Sequence, residues 1–561
     1  MTATSVGPVA DLTPEHAATL QRALTAIVDR GYWSAYPESP SPRVYGEAAA
    51  PAGAAAFQAY LGEDFPLDQP GTTDRVATES SPYGIELGIR YPHGDPDALV
   101  AAALAALPGW RDAGPAMRAE VCLRILDRLH EHIFELANAV QYTTGQAFVM
   151  AFQAGGAHAL DRALESLAYA YAEQTRHPGA ADWEKPAGRA DSLRMRKTFH
   201  VVPRGVALVI ACNTFPTWNS YPGLFASLGT GNPVIVKPHP GAVLPLAITV
   251  RYAREVLAEA GFDANLVALA AQAPGEGLAS VLAQRPEVRV IDFTGSTGYG
   301  QWLENNARQA AVFTEKAGVN TVIVDSTADF AGMCRNLAFS LTLYSGQMCT
   351  TPQNILVPRD GIDTDLGHKS LAEVAAGIAG AVGALTADPA RAVELTGAVV
   401  NDSVVPRIEA ARERGEVLLD SHPVRHPGHP AAVVRTPLIV GVDAAAQDVF
   451  GREWFGPIAF LVSTGTTAES LALFRRTVGA AGALTASVYS TDEAVLAEAE
   501  RAAIEVGVHL SQNLTGGVFV NQSAAFSDFH GTGANPAANA ALTDGAYVAS
   551  RFRIVQSRRH S

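Results

Sequence analysis

The sequence predicts an α/β fold with two domains, each built on a parallel sheet, and a small element of extended strands. Three observations carry this. Short apolar runs alternate with helical stretches from Gly205 onward, and the same rhythm restarts after Gly318. The segment from Leu193 to His200 alternates basic and apolar residues, as an extended arm does. Such alternation of strands and helices implies parallel sheets covered on both faces.

Residues 1–95 read as an N-terminal extension, rich in Pro, Gly and Ala around residues 39–42 and 48–56. Its Trp33, Tyr36 and Phe57 imply that it packs on something. The first α/β domain spans residues 96–316 and is interrupted by the arm at about 186–204. It opens with helices, where Cys122, Ile125, Leu126, Leu129, Ile133, Leu136, Ala137 and Val140 draw one apolar stripe. Gly205 to Ala211, Val234 to Val236, Leu266 to Leu269, Val288 to Phe293 and Ala311 to Phe313 are its expected strands. The second domain spans 317–525, with strands at Thr321 to Asp325 and Asn354 to Val357. Residues 526–561 form a C-terminal loop and tail, and Tyr547 to Val555 is expected to pair with the arm.

At 561 residues the chain exceeds one small core, and 48% hydrophobic against 17% charged residues excludes disorder as the dominant state. A net charge of −15 and the lack of a Lys/Arg stripe argue against nucleic acid as a partner. No apolar run of about 18 residues points to a membrane span, and Met1 to Ser5 does not begin a secretory signal. Cys122, Cys212, Cys334 and Cys349 lack paired spacing, as in a reduced cytoplasmic protein.

Chemistry concentrates on Cys349, which follows the turn Gly346-Gln347-Met348, and on Glu315, at the end of an apolar strand. A thiolate that attacks a carbonyl and a carboxylate that later activates water are what covalent aldehyde oxidation needs. The other three cysteines read as packed core thiols. Thr294-Gly295-Ser296-Thr297-Gly298 follows a strand and opens a helix, a turn that suits a pyrophosphate but also serves as a plain tight connection. Lys237 ends a strand where open α/β sheets bind ligands, or simply caps that strand in solvent. His130 and His132 are spaced for a solvated helix face rather than a metal site.

Over roughly residues 95 to 555 the chain resembles the aldehyde dehydrogenase superfamily. The matching stretches are Val234-Ile235-Val236-Lys237-Pro238, Phe293-Thr294-Gly295-Ser296-Thr297, Glu315-Lys316-Ala317-Gly318, Gly346-Gln347-Met348-Cys349 and Glu453-Trp454-Phe455-Gly456-Pro457. Within it, the chain looks like the PaaN-type dehydrogenases of phenylacetate degradation, by Cys212 to Trp218 and Ser527 to Pro536. The resemblance implies an aldehyde dehydrogenase-like fold, with residues 96–316 binding cofactor and residues 317–525 catalytic. It makes Cys349 the nucleophile and Glu315 the general base. Lys237, Gly295, Ser296, Glu453 and Phe455 would hold the dinucleotide, and His239, where the chain departs from the family, would donate to a 2′-phosphate. The arm and tail match the family's oligomerisation strands, so a homodimer or homotetramer is expected.

Two departures from the family pattern bear on chemistry. The family's oxyanion asparagine aligns with Thr214, so Asn213 is expected to reach the oxyanion by a one-residue shift. The glutamate that many NAD-using members carry beyond the strand-end lysine is replaced by Pro240, preceded by His239. Losing that anion favours NADP, with NAD possible. Asp528 and His530, in place of the usual glycine-rich C-terminal stretch, are expected to support a loop or line the substrate mouth. The PaaN likeness implies a CoA-linked aldehyde, 3-oxo-5,6-didehydrosuberyl-CoA semialdehyde. A CoA-acylating enzyme and a dehydrogenase for another aromatic or aliphatic aldehyde are the alternatives.

Overall fold

Three sheets organise the chain. In the computed structural model, residues 12–560 are described except 78, 189, 274 and 317. Met1 to Ser5, and Ala317 of the Glu-Lys-Ala-Gly stretch, thus lie outside the described residues. Strands β1 (Ala180–Ala187) and β2 (Ala190–Pro203) form a hairpin. Next come β3 (Val206–Ile210), β4 (Val234–Lys237), β5 (Val267–Leu269), β6 (Val288–Thr294) and β7 (Ala311–Glu315). They make one parallel sheet in the order β5-β4-β3-β6-β7.

The second sheet holds β8 (Thr321–Val324), β9 (Asn354–Pro358), β10 (Glu416–Leu419), β11 (Leu438–Asp443), β12 (Ile458–Thr464), β13 (Thr485–Tyr489) and β14 (His509–Gln512). Its order is β10-β11-β12-β9-β8-β13-β14, and only β10 runs antiparallel to its neighbour. The tail strand β15 (Phe552–His560) adds to the hairpin, pairing Val555 with His200 and Gln556 with Phe199. The expected arm–tail pairing is therefore present, although the arm begins at Ala180 rather than at about 186. Tyr547 lies in a short helix, Gly545–Ala549, because Asp544 caps it by accepting from the Tyr547 amide at 2.7 Å.

The apolar stripe around Cys122 divides between two helices, Gly114–Glu131 and Ile133–Thr144, which break at His132. His130 and His132 are only partly exposed, and both are bonded within the fold. His130 meets the Tyr45 hydroxyl at 3.2 Å, and His132 meets Glu135 at 3.0 Å and the Tyr252 hydroxyl at 2.9 Å. Leu20, Leu24, Ile27, Phe57 and Phe65 of the extension share one buried cluster with these helices and with β3 and β4. The extension also contains a 16-residue helix, Pro14–Asp29, capped by Thr13. Among the described residues, no single helix is long and apolar enough to cross a membrane.

Candidate active site

The carboxyl ends of β3, β4, β6 and β7 open onto one cleft of about 530 Å³, the place where open α/β sheets take ligands. It is lined by Asn213, Lys237, His239, Gly295, Ser296, Glu315, Cys349, Glu453 and Phe455. Every site residue expected from the sequence therefore comes together here. Ser296 is the N-cap of the helix Thr297–Asn306, and its side chain makes no capping bond. The first amides of that helix stay available to an anion.

Lys237 is 5% exposed, and burial pushes its ammonium down to about 8. Burial pushes Glu453 up to about 7, against the opposing charge of Arg407. An ammonium and a carboxyl held in a cleft of this size suit the hydroxyls of two riboses, so the residues fit a dinucleotide. His239 is exposed at the cleft edge, where its Nδ1 accepts from the Gly241 amide at 3.1 Å. Arg407 also lines the cleft and donates to the Phe455 carbonyl. Sequence reasoning missed Arg407, which lies in an otherwise unremarked amphipathic segment.

The Cys349 loop owes its shape to side chains that bond to backbone. Tyr344, Ser345 and Gly346 take left-handed backbone with φ of 52°, 48° and 63°. Only glycine fits at 346, since a Cβ there would lie 2.4 Å from the Gly456 carbonyl oxygen. Ser345 Oγ bonds the Arg435 carbonyl at 3.0 Å. Gln347 donates to the Ala398 carbonyl at 3.1 Å and accepts from the Val400 amide at 2.9 Å. The Gly-Gln pair in the motif is thus a close backbone approach followed by a tether.

Glu315, 1% exposed, stands behind the half-buried Cys349. Its Oε2 accepts from Asn219 Nδ2 at 3.2 Å, and its Oε1 lies 3.1 Å from His530 Nε2, close enough for an ion pair. That same Nε2 is 4.0 Å from the Cys349 sulfur. Burial raises the Glu315 carboxyl, but His530, Cys349 and Asn219 outweigh it and hold the group below its ordinary value. Burial and the Glu315 charge both push the Cys349 thiol up. Asp528 does not pair with His530; it accepts from the Ala524 amide at 2.8 Å.

A second cavity of about 700 Å³ also reaches Cys349 and shares Phe215, Asn219 and Cys349 with the cleft. Asn219, unlike Asn213, lines both. Asn213 sits on the cleft side, where its buried Oδ1 lacks a partner and lies 3.0 Å from where a Cβ on Gly241 would stand. Sequence reasoning missed Asn219, one of several buried polar residues in the helix Pro216–Gly229. Cys212 also faces the cleft rather than the core, while Cys122 and Cys334 are buried as expected. Tyr32, Trp33, Ser34 and Glu38 of the extension line the second cavity, and Asp161 holds them by bonds to Ser34 Oγ (2.7 Å) and the Ala35 amide (2.8 Å).

The aldehyde dehydrogenase family profile matches residues 90–532. The chain belongs to that family. It is 60% identical to a solved NAD-dependent aldehyde dehydrogenase from Burkholderia multivorans, with 98% of each chain covered and a TM-score of 0.96. It is 29% identical to an N-succinylglutamate 5-semialdehyde dehydrogenase of Chromobacterium violaceum, over 67% of this chain and 73% of that one. It is 28% identical to a 3,4-dehydroadipyl-CoA semialdehyde dehydrogenase of Aromatoleum evansii, over 52% of this chain and 57% of that one. As a member of the family, the protein is an NAD(P)-dependent aldehyde dehydrogenase.

Proposed function

We propose that the protein oxidises an uncharged aliphatic or aromatic aldehyde to its acid through a thioester on Cys349, using NAD or NADP. The observation that carries this reading is the position of Cys349 where the two cavities meet, with Glu315 behind it. Aldehyde reaches the sulfur from one side and cofactor from the other.

In this reading the Cys349 thiolate adds to the carbonyl carbon, forming a C–S bond and an oxyanion. Asn219 Nδ2, bonded to Glu315 at 3.2 Å, is the donor we assign to that oxyanion. A bound nicotinamide dinucleotide would supply the hydride acceptor needed for the thiohemiacetal on Cys349 to become a thioester. Glu315 then takes a proton from water, whose oxygen attacks the thioester, and the C–S electron pair returns to sulfur. A carboxylate next to the sulfur favours water over CoA as the resolving nucleophile, which argues against the acylating alternative. Lys237 and Glu453 would hold the ribose hydroxyls, and Gly295 and Ser296 the pyrophosphate.

The narrower CoA-linked substrate finds less support. The described residues lining the substrate cavity include Trp33, Phe215, Trp218 and Phe519 and the exposed carboxylates Glu38, Glu394 and Asp528, but no lysine or arginine. Phosphates at that mouth would be repelled. On the cofactor side, Pro240 presents no carboxylate to a 2′-phosphate, so NADP is accepted. A countervailing anion is Glu276, which acts on Lys237 and is held 2.8 Å from His93. Oligomerisation through the β15-β2-β1 sheet is our further reading, since Leu193, Ile554 and Val555 are exposed there.

The test is cofactor reduction by the purified protein with octanal, phenylacetaldehyde and a CoA-thioester semialdehyde, each with NAD and NADP. Turnover of the free aldehydes that vanishes in Cys349→Ala is expected. Turnover restricted to the thioester would overturn the substrate reading, and activity without Cys349 would overturn the mechanism.

A further inference from the structure

Cys349 needs a proton acceptor. Its sulfur sits beside a carboxylate, and Glu315 repels a second negative charge there. His530 Nε2, on the C-terminal loop, lies 4.0 Å from the sulfur, where it can relieve this. The ring is 5% exposed and stands edge-on to Trp218 at 4.6 Å, so it is fixed rather than swinging. Glu315 Oε1, Cys349 Sγ and His530 Nε2 all lie within 4.8 Å of one another.

We propose that His530 is a catalytic residue, whose Nε2 takes the Cys349 thiol proton and remains as an imidazolium between the thiolate and Glu315. The S–H bond breaks, its electron pair stays on sulfur, and the proton bonds to the Nε2 lone pair; no oxidant or reductant takes part. The neutral ring must then carry its proton on Nδ1. After deacylation the C–S pair returns to sulfur and the thiolate–imidazolium pair is restored. The proton from water goes to Glu315, so the two groups divide the work. This arrangement explains why a loop that departs from the family's glycine-rich stretch places an imidazole here.

Charged and titratable groups face the cluster from each neighbouring element. Glu315 comes from β7, Cys212 from the loop after β3, and Glu453 from the loop before β12. His509 on β14 lies behind the loop, and its Nε2 meets the Gly531 carbonyl at 3.2 Å. Asp528 is on the loop itself, with its carbonyl held by Arg162 at 3.0 Å. The charges acting on the sulfur, from Glu315, Cys212 and Glu453, are all negative, which is the setting in which a neighbouring imidazole decides whether a thiolate forms.

The proposal rests on Cys349 as nucleophile, and its test avoids turnover. The full-length, cofactor-free protein is alkylated with iodoacetamide across pH, with peptide mapping to locate the label on Cys349. Wild type is expected to react with an inflection below the ordinary thiol value of about 8.5. His530→Gln should react about 10²-fold more slowly near neutral pH and converge with wild type at the alkaline end. Superimposable profiles would overturn the role of His530, and so would a uniform loss at all pH values, which marks a packing effect. If His530→Gln does not fold, thiolate absorbance of wild type minus Cys349→Ser decides. Thiolate seen only above the ordinary thiol value would overturn the proposal. Turnover by Cys349→Ser would instead sink the nucleophile assignment, a separable result.

Discussion

Tyr344 and Ser345 hold a left-handed backbone that costs non-glycine residues about 1–3 kcal/mol each, and the tethers at Ser345 and Gln347 are what sustain it. The strain aims Cys349 at the junction of the cavities. Asn219 occupies the same junction, and Asn219→Ala is expected to lower kcat by about 10²–10³-fold with little change in KM for cofactor; an unchanged kcat would move the oxyanion contact elsewhere. Glu453 yields a pH prediction. Its carboxyl is raised from 4.5 to about 7, so the folded protein binds that proton more tightly than the unfolded chain does. The stability it contributes is fully present below 4.5 and is lost as pH rises through about 7. Thermal unfolding of cofactor-free protein should show this decline, and Glu453→Gln should flatten it; parallel curves would contradict it. Cys349, Glu315 and Lys237 were legible because their motifs are local in sequence. Asn219 was not, and His530 was legible only as a residue of the substrate mouth, because only the fold brings positions so far apart in the chain to one sulfur.

At the scale of elements, the strands were readable because β3 to β9 are short apolar runs bounded by glycine, proline or polar residues. Their ends were less so. β7 continues past Phe313 to Glu315 because Thr314 and Glu315 pair with Phe293 and Thr294 of β6, a register that hydropathy does not report. The tail shows the same limit. Arg551, fully buried, bonds both oxygens of Asp292 on β6 at 2.6 and 2.8 Å, and the Tyr547 hydroxyl donates to the same carboxylate at 2.6 Å. This pair locks the tail helix onto the cofactor sheet before β15 begins. Removing one partner strands a buried charge, so Arg551→Ala should destabilise the protein by about 3–5 kcal/mol in denaturant unfolding. A loss within error would show that solvent reaches Asp292.

Across the whole molecule, the N-terminal extension changes meaning once folded. Its aromatic residues imply that it packs on something, and the fold shows on what: Trp33 packs 4.7 Å from Phe526 and lines the substrate cavity. Those contacts span most of the chain, so no local pattern announces them. Trp33→Ala should raise KM for the aldehyde several-fold while leaving KM for cofactor unchanged; equal effects on both would mean a general loss of folding. The exposed three-stranded sheet is expected to close a dimer or tetramer, so Val555→Glu should lower the mass measured by light scattering. The central claim is that the acyl group passes through Cys349 and leaves by water that Glu315 activates. The most direct test is single-turnover cofactor reduction by Glu315→Gln, followed by intact-mass and peptide mapping. One equivalent of reduced cofactor per chain, with the acyl adduct on Cys349, is the predicted result. Full turnover by that variant, or an adduct at any other residue, would contradict it.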